Sequence, residues 1–473
     1  MITLSCTEIA TMVQGRLIGN DQPINTVSTD SRNIIAGGLF IALKGPNFDG
    51  SRFVEDVIAK GAVAVIVDTP LDSTVSQIVV ADTRVALGQL AAAIKARVQP
   101  KTIAVTGSAG KTTVKEMLAA ILSRCGKVLA TEGNFNNDIG VPLTLLRLTA
   151  ADKFAVLELG ANHAGEIAYT TALVKPDVAI ITNAAASHLE GFGDTFGVAR
   201  AKGEIFSGVA LGGTVVIQHD SEFTGYWLSR CASLNIIRFA SYYQAKATAQ
   251  NQPDITVNPA DIRAENIVLN DLGCARFNLV YGDEHVLVQL SLPGKHNVAN
   301  ALAAAAAAIT VGATFSDVQL GLAHMAAVKG RTTINQLNKQ LKIIDDSYNA
   351  NVESAKAAID LLASYSGYRV LLLGDMAELG ADARIYHEEI GLYAKKADIN
   401  LLFTLGVLSQ SASTVFNGQG AHFSSRQSML DQLMPLMLSQ QQVTILVKGS
   451  RSAKMELVVQ DLLERCQQEH SPC

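Results

Sequence analysis

Apolar and polar positions change their rhythm twice along the chain. Up to about residue 82, short apolar runs, "GLFIAL" at 38–43 and "VAVIVD" at 63–68, stand around a helical pattern near 53–60, which predicts a small α/β unit. From about 83, "RVALGQLAAAIKARV" predicts a helix leading into the strand "TIAVTG", and another helix starts at Lys111. The runs "FAVLELG" (154–160) and "VAIITN" (178–183) follow, each with a helix-like segment behind it. Unbroken Val/Ile/Leu strands alternating with helices predict a parallel sheet covered on both faces. By contrast, "RAENIVL", "ARFNLVY" and "HVLVQLSL" alternate more and are parted by short polar turns, as antiparallel strands are. "VANALAAAAAAITVGA" at 298–313 is shorter than the roughly 20 residues a membrane span requires and predicts a helix packed on all sides.

The strand–helix rhythm resumes at about 314 with "LKIIDDS", "YRVLLLGDM", "NLLFTLG" and "VTILVKGS". Such a segment predicts a doubly wound sheet whose ligands gather at the carboxyl ends of its strands, which directs attention to Asp346, Asp375 and Lys448. The expected fold is therefore α/β in three domains: 1–82, a small N-terminal domain; 83–313, a central P-loop-type parallel-sheet domain; and 314–473, a Rossmann-like doubly wound domain.

Composition narrows the function. Only 17% of the 473 residues are charged and the net charge is −5, with no basic run to track a nucleic-acid backbone, so partners held by bulk electrostatics are not expected. The six cysteines are scattered without a C-x-x-C pair, as reduced thiols of a cytosolic protein would be. The N-terminus lacks a cationic start before an apolar core, so no export signal and no membrane insertion are expected.

The chemistry begins at "AVTGSAGKTTVKE", 104–116. A P-loop carries a glycine five residues before its Gly-Lys pair, and here Val105 holds that place. Strand, Gly-Ser-Ala-Gly and a helix opening on Lys-Thr-Thr still make an anion site. Backbone N–H groups close on phosphate oxygens, the helix start adds partial positive charge, Lys111 adds a full one, and Thr112 can place its hydroxyl on magnesium. Glu158, between leucines at the end of the next strand, is costly to bury alone and reads as a magnesium ligand, or as an edge residue. His188 and Lys202 follow a third strand. Taken singly, they read as a satisfied structural histidine and a solvated lysine; beside Glu158 they suggest a second metal.

These residues resemble the Mur ligases, ATP-dependent amide-forming enzymes of peptidoglycan precursor synthesis. The resemblance covers essentially the whole chain and rests on "TGSAGKTTVKEM", "EGNFNNDIGVPLTLL", "ELGANHAGEI", "HLEGFG", "KHNVANALAAAAA", "DDSYNANVES", "LGDMAELG" and "KGSRSAKME". No Asp-Asn-Pro-Arg string is present, which points to the dipeptide-adding branch and away from the diaminopimelate-adding one.

The resemblance implies that D-Ala-D-Ala is joined to UDP-MurNAc-tripeptide through an acyl phosphate, in a cytoplasmic monomer. It places ATP on Thr106, Gly107, Ser108, Ala109, Gly110, Lys111, Thr112 and Thr113, with Asn297 and Asn300 near adenine, Arg331 at the γ-phosphate, and Asp346, Tyr348 and Asn349 around the ribose. It implies two magnesium ions, the first on Thr112 and Glu158, the second on His188 and a carbamate formed by carbon dioxide on Lys202. Lys111, Lys202, His188 and Arg331 would be the catalytic set. "STDSRNIIAGGLFIALKGPNFDG" would hold the UDP part through Ser31, Arg32, Lys44, Asn47, Phe48, Asp49 and Gly50. Asp375, Glu378, Lys448, Ser450 and Arg451 would meet D-Ala-D-Ala. Plainer readings exist for some of these: Asp346 could cap a helix and Arg331 could sit in a surface ion pair. The third domain is expected to swing in over ATP, from an open form without nucleotide to a closed one, excluding water from the acyl phosphate.

Rival classes lack their marks. A GTPase switch requires an Asn-Lys-x-Asp string, which is absent; a kinase requires no amine co-substrate; a non-catalytic module would not carry Glu158 and His188; folate-polyglutamate ligases lack the UDP-type N-terminal segment.

Overall fold

Three sheets organise the chain. The computed structural model describes residues 1–45, 48–240, 260–416 and 419–469. In the first unit the strands run in the order Arg16–Ile18, Ser76–Val79, Ala64–Val67, Leu39–Ile41, Val27–Ser28, parallel except for the first pair. Leu39, Phe40 and Ile41 are all buried, because helices cover both faces of this sheet and continuous apolar strands result.

The second unit is built on a nine-stranded sheet in the order Lys127–Ala130, Asp152–Glu158, Lys101–Thr106, Val178–Ile181, Thr214–Gln218, Asn235–Ala240, Ile262–Leu269, Cys274–Tyr281, Glu284–Pro293. The first seven are parallel and the last three form an antiparallel meander. The alternating strands therefore extend the parallel sheet instead of making one of their own. Helix His296–Thr310 lies against this sheet with Ala301 and Ala303 through Ala308 all essentially inaccessible. Side chains of one methyl group let it approach the sheet and the Lys111–Leu122 helix together.

The boundary expected at 313/314 is corrected by packing. Helix Phe315–Ala323 rests on the Lys111–Leu122 helix and the Glu284–Pro293 strand, and a methyl group at Gly321 would strike the Ile121 backbone. It belongs with the second unit.

The third unit carries a six-stranded sheet in the order Thr333–Gln336, Leu341–Asp346, Val443–Lys448, Tyr368–Gly374, Leu401–Leu405, Gly420–Phe423, with only the first pair antiparallel. One continuous apolar core joins Leu4 and Ile9 of the first unit, Leu157 and Ile181 of the second, and Ile344 and Leu371 of the third. None of the described helices is long and apolar enough to cross a membrane.

Candidate active site

The Lys101–Thr106 strand runs straight into the loop. Val105 pairs with Glu158 across the sheet and is fully buried, so the place a P-loop gives to glycine is here a strand residue. The turn is correspondingly shorter. Gly107 (φ 150°) and Gly110 (φ 83°) supply the backbone that other residues adopt only under strain, and a methyl group on Gly107 would overlap the Thr182 hydroxyl.

Neighbouring strand ends pin the loop. Thr106 Oγ1 donates to the Leu159 carbonyl (2.8 Å), and Ser108 N–H and Ala109 N–H donate to Asn183 O (3.1 Å) and Asn183 Oδ1 (2.9 Å). Ser187 Oγ lies 2.9 Å from Ser108 Oγ. Asn183 escaped the sequence reading; its one signal was a polar amide ending an apolar strand, where a neighbouring loop has N–H groups to satisfy. Lys111 Nζ donates to the Gly107 carbonyl (2.7 Å), and burial pushes its pKa down while Glu158 opposes the shift.

Glu158 is 3% exposed and held at both oxygens: Thr112 Oγ1 donates to Oε2 and Asn136 Nδ2 to Oε1, each at 2.9 Å. A carboxylate oxygen beside a hydroxyl at a phosphate loop suits magnesium, which binds through one or two carboxylates, waters and substrate phosphates. The described residues hold no cluster of three or more His, Cys, Asp or Glu able to cage an ion. Asn136 was quoted only within a longer motif; its tie to Glu158 spans 22 residues of sequence and leaves no local pattern.

Lys202 is not a solvated lysine. It is 1% exposed, its ammonium 5.6 Å from the centre of the Phe192 ring, and burial followed by the charge of Lys111 lowers its pKa to about 7. The ring of His188 meets the same Phe192 edge-on at 6.4 Å. A neutral lysine amine is the form that attacks carbon dioxide, losing a proton, and the resulting carbamate would add oxygen ligands beside Glu158.

The third unit is docked over this loop. Arg331 NH2 reaches Thr112 Oγ1 (3.3 Å), Asn351 Nδ2 donates to the Ser108 carbonyl (3.0 Å), and Leu189 N–H donates to the Glu378 carbonyl (2.9 Å). Asn351, which the sequence reading did not single out, also caps helix Val352–Ala363 through Ser354. Between the units lies a cavity of about 660 Å3 lined by Ser108, Gly110, Thr113, Asn300, Arg331, Asp346, Asn349 and Lys448. Ligand pockets commonly fall in this range. Asn300 Nδ2 donates to Asn297 Oδ1 (2.9 Å), whose own amide donates to Pro293 O (2.7 Å). Asn297 therefore stands one step behind the wall and steadies Asn300.

The residues expected at the dipeptide and the ribose each have partners within the fold. Lys448, expected at the dipeptide, is 2% exposed and bonds Asp346 Oδ2 at 2.5 Å across adjacent parallel strands, on the side of the phosphate loop. Asp346 also accepts from Thr332 N–H, so it is already paired at both oxygens. Asp375 accepts three backbone N–H groups, from Val407, Leu408 and Ser409 at 2.8–3.0 Å, which hold its carboxyl low against the opposing effect of burial and fasten that loop. Ser450 is buried, its hydroxyl 3.0 Å from Ser452 Oγ, and Arg451 pairs with Glu456 at 3.0 Å. Tyr348 receives Arg331 (4.4 Å) and Arg451 (5.7 Å) on its ring and does not line the cavity. Glu378 contacts His188 instead of facing the third unit's own strand ends.

The first-unit residues stay apart from the cavity. Lys44 pairs with Asp68 (2.6 Å), Arg32 with Asp30 (2.8 Å), Phe48 stacks on Phe53 (5.6 Å between centres), and Asp49 caps the turn at Ser51. The Ser31 carbonyl accepts from Lys60, and Gly50 is packed so closely on Leu43 that a side chain would clash. Asn47 lies outside the described residues.

Known proteins share this arrangement. Three sequence families match: "Mur ligase family, catalytic domain" over 23–121, "Mur ligase middle domain" over 105–308, and "Mur ligase, glutamate ligase domain" over 330–451. The chain is 46% identical to UDP-N-acetylmuramoyl-tripeptide–D-alanyl-D-alanine ligase of Escherichia coli (strain K12), over 98% of this chain and 99% of that one. The Bacillus subtilis (strain 168) ligase of the same name is 34% identical at the same coverage. Among solved structures, MurF from Acinetobacter baumannii superposes with a TM-score of 0.90 at 36% identity, covering 98% of this chain and 99% of that one. MurF from Thermotoga maritima in complex with ADP gives 0.81 at 25% identity, covering 94% and 98%.

Proposed function

The chain belongs to the Mur ligase family, and on that premise we propose that it joins D-alanyl-D-alanine to UDP-N-acetylmuramoyl-tripeptide with hydrolysis of ATP to ADP and phosphate. The observation that carries this reading is the meeting of Lys111, Thr112 and Glu158 of one unit with Arg331 of another at a single phosphate loop. Two substrates of like charge, a carboxylate and a triphosphate, must be brought together there, and each of the cations answers part of that repulsion.

Lys111 and the loop N–H groups take the β- and γ-phosphates, phosphate replacing the Gly107 carbonyl at the Lys111 ammonium. Arg331 reaches the γ-phosphate, where charge develops as the acyl phosphate forms. Asn300, behind Gly110, borders the adenine, and Asn349 with the Asp346–Lys448 pair borders the ribose. The amine of the dipeptide then displaces phosphate from the acyl carbon. Docking of the third unit keeps water away from that intermediate.

Magnesium would be held by Thr112 and Glu158, and a second ion by His188 and carbamylated Lys202, supplying charge neutralisation between the two anions. Arg32, Lys44 and Phe48 of the first unit serve the UDP group, where two cations and an aromatic face suit a diphosphate and a uracil ring. The acting species is a monomer in the cytoplasm.

Phosphate release measured with ATP, UDP-MurNAc-tripeptide and D-Ala-D-Ala tests the reading. Release is expected only when all three are present, with a product mass equal to the sum of UDP-MurNAc-tripeptide and D-Ala-D-Ala less one water. Release without the dipeptide would show a different acceptor.

A further inference from the structure

Glu378 lies at the boundary between the second and third units. It enters from the third unit and places Oε2 2.5 Å from His188 Nδ1, a close charge contact. Nδ1 is buried and makes no well-aligned hydrogen bond among the described residues, this contact included. Both residues sit on left-handed backbone, His188 at φ 52° and Glu378 at φ 63°. A non-glycine residue is strained there, so two facing each other across a domain boundary are held there by their surroundings.

Docking does not require the carboxylate. The backbone bond from Leu189 N–H to the Glu378 carbonyl fastens this boundary, and Arg331 and Asn351 fasten it elsewhere. What the side chain alone can do, with a small turn into line, is accept a hydrogen bond from Nδ1–H. That fixes the imidazole as the Nδ1–H tautomer and leaves Nε2 as a lone pair, the arrangement by which a carboxylate orients a metal-binding histidine.

We infer that Glu378 is the positioning residue for His188, so that the second metal site is completed by a group from the third unit and is fully formed only when that unit is docked. The inference rests on the reading of His188 as a metal ligand. It makes the order of events physical: an ion binds firmly at His188 after closure, not before it.

Manganese titration of the full-length protein with a non-hydrolysable ATP analogue, followed by electron paramagnetic resonance, tests this, with small-angle scattering on the same samples. Glu378→Ala is expected to weaken one of two manganese ions about tenfold, the same ion that His188→Ala weakens, while Glu378→Asp restores part of the loss and compaction stays at the wild-type value. If His188→Ala weakens an ion and Glu378→Ala does not, the positioning role is wrong and the ligand reading stands. If neither variant changes manganese binding, the ligand reading fails and the inference with it. If Glu378→Ala loses compaction together with the ion, Glu378 is a docking contact, and the inference is overturned.

Discussion

At the scale of single residues, the site sets function against stability. Lys202 is buried with a pKa near 7, below its ordinary 10.5, so between those values the folded chain binds fewer protons than the unfolded chain. The stability contributed by this group therefore rises with pH across that window, and the penalty is complete below pH 7. Lys202→Met removes the penalty. In carbon-dioxide-free buffer it is expected to stabilise the fold by on the order of 2 kcal/mol at pH 6, with a gain that shrinks as pH climbs past 8; chemical denaturation at several pH values reads this directly. The same variant should abolish turnover, and retained turnover would remove the carbamate from the mechanism. Lys111→Ala is expected to lower the rate of phosphate release by at least about a hundredfold without unfolding the chain; undiminished release would refute the assignment of the loop. Lys111, Thr112 and Glu158 were legible in the sequence because their geometry is local, a strand end and a helix start. The fold partners of Asp375 and Lys448 lie 32–34 and 102 residues away, so no local pattern announces them.

Whole elements show why the phosphate turn is short. Gly107 faces Thr182 and Gly110 faces Asn300, so the turn is clamped between a strand end and the start of the alanine-rich helix. Gly110→Ala, with φ at 83° and its methyl directed at Asn300 Oδ1, is expected to weaken nucleotide binding more than tenfold while moving the melting temperature little; calorimetric titration with ADP beside a melting curve separates the two. In the helix itself, Ala305→Leu should destabilise the second unit by about 1–3 kcal/mol through overpacking, because position 305 has no exposed surface to expand into. Periodicity made these elements readable: continuous apolar strands, an all-apolar helix and alternating late strands each appear as expected. It could not show that the alternating strands complete the same sheet, since hydrogen-bond partners outside the strand leave no trace in its own pattern.

At the scale of the molecule, three contacts of different chemistry hold the third unit over the loop: a guanidinium on Thr112, an amide on a loop carbonyl, and a backbone bond at Glu378. Asn351→Ala together with Arg331→Ala is expected to loosen closure, so that small-angle scattering with ATP analogue and UDP-tripeptide records a larger radius of gyration than the wild type. Identical radii would mean that docking rests on other contacts. The division into three units was legible from the changes of rhythm, but the helix at Phe315–Ala323 carries the same amphipathic pattern whichever sheet it covers, and only packing assigned it. The bond from Asn351 to the Ser108 carbonyl joins positions 243 residues apart and has one more consequence. The loop that grips the nucleotide and the helix that belongs to the lid share a single hydrogen bond, so any molecule that turns the Ser108 peptide is felt by the lid at once.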